Sequence, residues 1–114
     1  MKNYVKVMKA LSDPNRVKIL KLLQHRLLCV CELQKALQIA QPTVSRHLRI
    51  LEEAELVRFE KDGLWINYML DAKSENPFAA SMLNMLNSWL EDDMEIRTLI
   101  DQLPHINRET ICKG

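Results

Sequence analysis

Apolar residues recur every three or four positions through the first half of the chain, the spacing of one buried face of an α-helix. This spacing predicts a first helix over residues 4–11. Its apolar positions are Tyr4, Val7, Met8 and Leu11. The pattern restarts at Pro14, where Asp13 is suited to cap a helix and proline to occupy the first helical position. A second helix is therefore predicted from Pro14 onward.

A short helix, a tight turn and a longer helix are predicted next. The segment CELQKAL predicts a helix over residues 31–37, and the following QIA is too short to form anything but a turn. A further helix, opened by Pro42, is predicted from residue 41 to about residue 54. Its expected buried positions are Val44, Leu48 and Leu51. Two helices joined by a tight turn are typical of a helix-turn-helix.

The period then changes from that of a helix to that of strands. Asp62-Gly63 lies between two runs rich in Val, Phe, Trp, Ile and Tyr. This dipeptide favours a tight hairpin turn, because both residues tolerate positive φ. We predict strands at about residues 56–60 and 64–70. A hairpin that follows a helix-turn-helix is the wing of a winged helix-turn-helix.

The helical period returns after the hairpin. It predicts a long helix from Pro77, which Pro104 is expected to end. The predicted fold is therefore mainly α with a β-hairpin, a winged helix-turn-helix with helices on both flanks. We assign residues 1–104 to this DNA-binding domain with its flanking dimerisation helices, and residues 105–114 to a C-terminal tail.

Composition limits the class of protein. The chain has 114 residues, enough for one small domain, and only two glycines and four prolines, which argues against an all-β design. No stretch approaches the roughly 18 apolar residues of a membrane span, and the N-terminus lacks the apolar run of a signal peptide. We therefore expect a cytoplasmic protein with no membrane partner, whose three cysteines are thiols and not a disulfide framework.

The charges are divided unevenly along the chain. Residues 1–50 carry ten basic residues against Asp13 and Glu32, a net charge of +8, whereas residues 51–114 carry −7. A basic half suggests a surface that meets a polyanion, although a dipolar surface without a partner gives the same numbers.

The side of the 41–54 helix opposite its buried stripe carries residue types that read DNA. Arginine, glutamine, serine and threonine near the start of such a helix can contact base edges in the major groove. His47 lies on the flank of the helix, where it contacts the DNA backbone or packs internally. The predicted hairpin adds Arg58 and Lys61 near its tip. The expected DNA-binding residues are Gln41, Thr43, Ser45, Arg46, His47, Arg49, Arg58 and Lys61.

Four segments in this order resemble the ArsR family of bacterial winged-helix repressors, and specifically its arsenic-sensing branch. They are ALSDPNRVKILKLL, LLCVCELQKAL, QPTVSRHLRILEEAELV and KDGLWINYML, and the resemblance covers roughly residues 7–70. It implies a homodimer, formed through the first and last helices, that binds operator DNA and leaves it when an inducer binds. A long apolar stripe on the last predicted helix favours the same dimer. Its residues are Phe78, Met82, Met85, Leu86 and Trp89.

Three positions depart from the family pattern. Ala40 stands where relatives commonly have a capping serine, which removes about 1 kcal/mol of N-cap stabilisation from the DNA-reading helix. Gln34 stands where some relatives have a third cysteine. The last predicted helix lacks the histidines of zinc-sensing relatives, so we do not expect a zinc site there.

The Cys-Val-Cys at residues 29–31 is the candidate inducer site. Trivalent arsenic and antimony are soft acceptors that prefer thiolates, and the resemblance implies three sulfur ligands. Residues i and i+2 of a regular helix point about 200° apart, so Cys29 and Cys31 converge only where the backbone is extended or frayed. We expect the helix N-terminus and nearby Arg26 to favour their thiolates.

Cys112 is the candidate third ligand, from its own subunit or from the partner. Alternatively it is a free thiol in the tail, or the site has two cysteines and an exogenous thiol. The predicted function is therefore an arsenite- or antimonite-responsive transcriptional repressor that dissociates from DNA when the metalloid binds, with no organic cofactor.

Three other functions compete with this prediction. The first is a redox- or sulfur-sensing repressor that uses the same cysteine pair. A small thiol enzyme is disfavoured, because neither a Cys-x-x-Cys beside a βαβ pattern nor a nucleophile–base arrangement is present. A winged helix that binds only proteins would show no salt-dependent affinity for DNA, which is hard to reconcile with Arg46 and Arg49.

Overall fold

The computed structural model describes residues 1–112. The helices are α1 (Lys2–Ala10), α2 (Pro14–Leu23), α3 (Val30–Leu37), α4 (Gln41–Glu53), α5 (Pro77–Leu86), α6 (Met94–Gln102) and α7 (Arg108–Ile111). The strands are β1 (Val57–Asp62) and β2 (Trp65–Leu70), which pair antiparallel, and a 3-10 turn at Leu103–His105 precedes α7. The predicted fold, mainly α with one β-hairpin, is confirmed.

One apolar core is formed by residues from all five helices α1, α2, α3, α4 and α5. Fully buried leucines and isoleucines from α2 and α4 form its centre, as the spacing of three and four predicts. They include Ile19, Leu20, Leu22, Leu48 and Leu51. The carboxylate of Asp13 accepts hydrogen bonds from the backbone N–H groups of Asn15 (2.8 Å) and Arg16 (3.3 Å), so the predicted N-cap of α2 is confirmed.

Helices α3 and α4 form the predicted helix-turn-helix. Gln38, with φ of 56° in the left-handed region, ends α3, and Ala40 precedes α4 without a side-chain hydrogen bond to its first turn. The prediction that this helix lacks a side-chain N-cap is therefore confirmed. Helix α3 begins at Val30, one residue earlier than predicted, which leaves Cys29 in extended backbone and places Cys31 inside the first turn.

The hairpin, which we call the wing, extends closer to its turn than predicted. Asp62 belongs to β1 and pairs with Trp65, so the two turn residues are Gly63 and Leu64 and not Asp62-Gly63. Only Gly63 of the turn has a positive φ, +61°, which glycine adopts without a Cβ clash. Leu28 is hydrogen-bonded to the middle of β2. Its backbone N–H donates to the carbonyl oxygen of Tyr68 at 3.1 Å, and its carbonyl oxygen accepts from the N–H of Tyr68 at 2.8 Å. The segment just before Cys29 is thus tied to the wing.

The prediction of one long helix from Pro77 to Pro104 is wrong. Helix α5 ends at Leu86, Leu90 adopts a left-handed φ of 63°, and α6 begins where the Asp93 carboxylate accepts the N–H of Ile96 at 3.0 Å. The buried ammonium of Lys21 donates to the carbonyl oxygens of Leu86 (2.7 Å) and Trp89 (2.9 Å). This cation satisfies carbonyls that a helix end leaves unpaired, which stabilises the break.

Residues after α6 fold back onto α3. Arg26 donates to the carbonyl oxygen of Ile106 at 2.7 Å, and Ile106 and Cys112 are buried. The segment predicted as a tail thus contains α7 packed on α3, while Lys113 and Gly114 lie outside the described residues. Within residues 1–112, no helix has the length and apolar character needed to cross a bilayer.

Candidate DNA interface and thiol site

Helix α4 presents a polar face to solvent. Its side chains at Gln41, Arg46 and Arg49 are exposed, whereas those at Thr43 and Ser45 are partly buried. Arg46 and Arg49 are three residues apart, so they lie on the same face, and neither makes an ion pair with another of the 112 described residues. Two unpaired guanidinium groups on one exposed helix face are suited to contact a nucleic acid.

His47 lies on the inner side of α4, so the expectation that it contacts DNA is not supported. Its side chain is 5% exposed, and Nδ1 lies 3.2 Å from a guanidinium nitrogen of Arg16. Because guanidinium only donates, Nδ1 accepts and the ring is neutral with its proton on Nε2. Burial lowers the pKa of His47, and the charges of Arg16 and Arg46 lower it further against an opposing effect of Asp13.

Arg16 is a further residue that the sequence did not reveal. It positions α4, the helix predicted to read DNA, which we call the recognition helix. It donates to the carbonyl oxygens of Ala10 (2.8 Å) and Lys9 (3.0 Å) at the end of α1, and it also contacts His47 on α4. One side chain thus links the three helices α1, α2 and α4. Its place as the third residue of α2 gave no sequence signal for this role.

The two basic residues predicted at the tip of the wing lie at different distances from its turn. Lys61 pairs with Ile66, next to the closing pair, so it lies near the tip as expected. Arg58 pairs with Met69 near the base, which corrects its predicted place at the tip, and it forms a 2.7 Å ion pair with Glu60. Of the two side chains, only that of Lys61 therefore belongs to a residue near the tip of the wing.

Cys29 is buried where α3 begins. Its backbone N–H donates to the Glu32 carboxylate at 3.0 Å, and its side chain is not bonded to another cysteine. Burial raises the pKa of the Cys29 thiol, and the negative charge of Glu32 acts in the same direction. The expectation that Arg26 favours a Cys29 thiolate is therefore wrong, because Arg26 itself lies against Glu32, 3.5 Å from its carboxylate.

Cys31 and Cys112 are joined in a disulfide, with their Cα atoms 5.9 Å apart. This corrects the expectation that all three cysteines are thiols. The pair closes because α7 docks on the first turn of α3, which brings together residues 81 positions apart in the sequence. Of the alternatives for Cys112, the structure shows a contact within its own subunit.

The two cysteines of the Cys-Val-Cys face an open groove of about 230 Å³, which we call the thiol groove. It is lined by Cys29, Val30, Cys31, Gln41, Leu64, Trp65 and Ile66. These residues come from the start of α3, the first residue of α4 and the wing. The side chains of Cys29 and Cys31 thus lie beside both elements that are expected to touch DNA, α4 and the wing.

The three cysteines do not form a ready-made metal centre. Among the residues that the structure describes, no group of three His, Cys, Asp or Glu side chains is placed to hold one ion. Cys31 is bonded to Cys112, whereas Cys29 is unbonded and lines the thiol groove together with Cys31. A three-sulfur site therefore requires reduction of the Cys31–Cys112 disulfide.

Glu32 and Arg108 are further site residues that the sequence did not reveal. The Glu32 side chain is 1% exposed, and Arg108 donates to its carboxylate at 3.1 Å. The same guanidinium lies 5.1 Å from the centre of the Trp65 ring. A glutamate three residues after the α3 N-cap was a usable signal for Glu32, but Arg108 lies in a short segment without periodicity.

A helix-turn-helix with an exposed polar recognition helix and a β-hairpin wing defines a winged-helix DNA-binding protein. The pattern of the family described as "Bacterial regulatory protein, arsR family" matches residues 13–58. The chain is also 32% identical over 111 residues to the arsenical resistance operon repressor of Escherichia coli (strain K12), covering 96% of this chain and 89% of the relative. The chain belongs to the ArsR family of bacterial transcriptional regulators.

Two further likenesses agree with this assignment. The arsenic resistance transcriptional regulator ArsR1 of Pseudomonas putida (strain KT2440) is 34% identical over 91 residues, covering 76% of this chain and 71% of the relative. The crystal structure of the transcriptional repressor BigR from Xylella fastidiosa superposes with a TM-score of 0.65 at 28% identity, covering 78% of this chain and 85% of that chain. Proteins of this family regulate transcription and are not enzymes, and this chain is a repressor of that class.

Proposed function

We propose that this chain represses transcription by binding operator DNA as a homodimer and dissociates when arsenite or antimonite binds its cysteine thiolates. The observation that carries the proposal is the composition of the thiol groove. Cys29 and Cys31 share this groove with Gln41 at the start of the recognition helix and with the wing. A ligand that draws the thiols together displaces parts of the DNA-binding surface, and a coupling of a few kcal/mol is enough to empty an operator.

The donor set suits a soft metalloid. Reduced Cys31 and Cys112 would supply two sulfurs that the fold already brings together, and Cys29 would be the third donor, since it lines the thiol groove together with Cys31. Arsenite binding displaces the protons of these thiols, and the raised pKa of Cys29 adds to the cost of forming its thiolate. The arsenic-resistance names of the E. coli and P. putida relatives support the same class of inducer.

The inducer is tested by titrating the operator-bound, reduced protein with arsenite, antimonite, zinc, cadmium and hydrogen peroxide in parallel. We expect arsenite and antimonite to release the protein, observed as a loss of fluorescence anisotropy of labelled operator DNA. Release by zinc or cadmium alone, or retention of the complex with every reagent, would contradict the proposal. Excess dithiothreitol should restore binding after arsenite, since it competes for the metalloid.

A redox- or sulfur-sensing repressor is the second candidate, favoured by the Cys31–Cys112 disulfide. In this reaction the two thiols lose two protons and two electrons to hydrogen peroxide, which is reduced to two molecules of water. A new S–S bond then holds α7 on α3. Release by peroxide or polysulfide in the titration above, without a response to arsenite, would select this function.

The DNA-bound unit is proposed to be a homodimer formed by α1 and α5. Several large apolar side chains on these helices and the segment after α5 are about 40–50% exposed: Tyr4, Phe78, Met85, Trp89 and Leu90. Tyr4 and Phe78 already contact edge to face, with ring centres 5.5 Å apart, so the two helices present one continuous apolar surface. A second copy covers this surface and places two recognition helices about one DNA turn apart.

Sedimentation velocity at micromolar concentration is expected to give the mass of two chains. Met85→Glu, which places a charge on this surface, should shift the protein toward the monomer. Lys73→Glu, an exposed change outside the apolar surface, is the matched control. A wild-type monomer in this range would exclude the dimer.

A further inference from the structure

Arg108 joins three parts of the molecule that are distant in sequence. It is the first residue of α7, its guanidinium donates to Glu32 of α3 at 3.1 Å, and it lies 5.1 Å from the centre of the Trp65 ring in the wing. A guanidinium over an indole face at this distance is a cation–π contact. The C-terminal segment, the start of α3 and the wing thus meet at one side chain.

The position of Arg108 is tied to that of Cys112 through one helical turn. The backbone N–H of Cys112 donates to the carbonyl oxygen of Arg108 at 2.8 Å, and Cys112 is bonded to Cys31. Since α7 is a single turn, it stays in place only through its contacts with the rest of the domain. Linking Cys112 to Cys31 therefore fixes Arg108 against its two partners.

The guanidinium of Arg108 is the nearest cation to the buried carboxylate of Glu32, so loss of this contact would affect Glu32 directly. Its carboxylate is buried and receives the N–H of Cys29 at 3.0 Å as well as the Arg108 guanidinium. Arg26 also lies 3.5 Å away, but its stronger hydrogen bond is to the carbonyl oxygen of Ile106. A buried carboxylate without its nearest cation rearranges, and here that rearrangement reaches the backbone of Cys29.

Trp65 carries the contact to the DNA-binding surface. It is the first residue of β2, it closes the wing opposite Asp62, and it lines the thiol groove together with Gln41. A shift of its indole ring moves the wing tip relative to the start of the recognition helix.

We propose that Arg108 is the positioning residue that couples the bonding state of Cys31 and Cys112 to the wing, through its contacts with Glu32 and Trp65. When Cys112 is held on α3, Arg108 fixes the wing in the arrangement seen here, and when Cys112 is free, the wing is released. This inference rests on the proposed function in one respect, that thiol chemistry controls operator binding.

The test uses full-length protein. Trp89→Phe is introduced only for the fluorescence measurement, where it leaves Trp65 as the only tryptophan, and operator affinity is measured with Trp89 in place because it lies on the proposed dimer surface. Diamide forms the disulfide by taking up two protons and two electrons from the thiols, and mass spectrometry verifies a loss of two hydrogens. Linked and reduced proteins are compared by Trp65 fluorescence and by operator affinity. We expect the link to change Trp65 emission and to lower operator affinity about tenfold or more, a typical coupling between two sites.

Arg108→Gln should still form the disulfide but lose both responses, so that its linked and reduced forms bind operator within about twofold of one another. Arg108→Lys keeps the charge opposite Glu32 without the planar group over the indole, and should recover part of the coupling. Arg97→Gln, an exposed change on α6, is the matched control and should behave as the parent protein. Trp65→Leu, read by operator affinity alone, removes the other side of the contact and should also abolish the affinity difference.

Equal fluorescence and affinity responses in the parent and Arg108→Gln would overturn the inference, as would a parent protein that forms no link or responds to it in neither measurement. Failure of the proposed inducer has a different signature. In that case arsenite does not release the operator, while the diamide comparison still shows whether Arg108 couples the disulfide to the wing.

Discussion

Replacing Arg46 by alanine is expected to reduce operator affinity by a factor between about 30 and about 10⁴. An arginine that reads a base edge contributes about 1–3 kcal/mol per half-site, and a dimer uses two half-sites. Arg46 is exposed near the start of α4, the part of a recognition helix that reaches base edges, and it has no acidic partner among residues 1–112. Fluorescence anisotropy with operator and with unrelated duplex DNA measures the loss.

Arg49→Ala is the informative comparison, because Arg49 lies one turn further from the helix start. A phosphate contact predicts a similar loss of affinity for operator and unrelated DNA, and a dependence of log K on log salt that is shallower by about one per contact. Arg97→Ala on α6 controls for the loss of one positive charge outside the recognition helix. Normal operator binding by Arg46→Ala would mean that the assigned face of α4 is wrong.

Replacing Cys31 by serine is expected to abolish release of the operator by arsenite while leaving repression intact. Serine is nearly isosteric but offers a hard oxygen with little affinity for a soft metalloid. Cys31 lies in α3 and not in the helix that reads DNA, so the affinity of the reduced protein for operator should stay within about twofold of wild type. Arsenite titration of the operator complex measures both quantities.

Serine variants of the other two cysteines distinguish the models of the site. A large loss of arsenite affinity in Cys112→Ser makes this residue the third ligand, whereas no loss leaves a site of Cys29 and Cys31 with an exogenous thiol. Cys29→Ser is also expected to block release. A double Cys29→Ser, Cys31→Ser protein that dissociates at the wild-type arsenite concentration would exclude the sensing role of the Cys-Val-Cys.

Local sequence patterns determined the elements that build the DNA-binding surface. The apolar spacing located α2 and α4, Asp13 marked the start of α2, and the change of period after residue 54 located the wing. These features depend on neighbours a few residues apart, since helix periodicity, capping and hairpin turns are local properties of the backbone. The exposed positions of Arg46 and Arg49 follow from the same periodicity once Val44 is placed inside.

Tertiary contacts decided the features that depend on distant partners. The apolar spacing continues past Leu86 to Trp89 and Leu90, but Lys21, more than 60 positions earlier, donates to the carbonyl oxygens of Leu86 and Trp89, where α5 ends. His47 lies three residues after Val44, on the buried side of α4, and the Arg16 guanidinium 3.2 Å from its Nδ1 comes from 31 positions earlier in the chain, a partner that helix periodicity does not specify.

The C-terminal segment shows the same dependence most clearly. A polar sequence with one cysteine predicted a tail, yet Arg26, Glu32 and Cys31 hold it on the domain through a carbonyl, a carboxylate and a sulfur. The Cα atoms of Cys31 and Cys112 are 5.9 Å apart although 81 positions separate them in the chain. Such pairing depends on the packed core, because only the packed helices bring these groups close enough to compensate for the entropy of closing so long a loop.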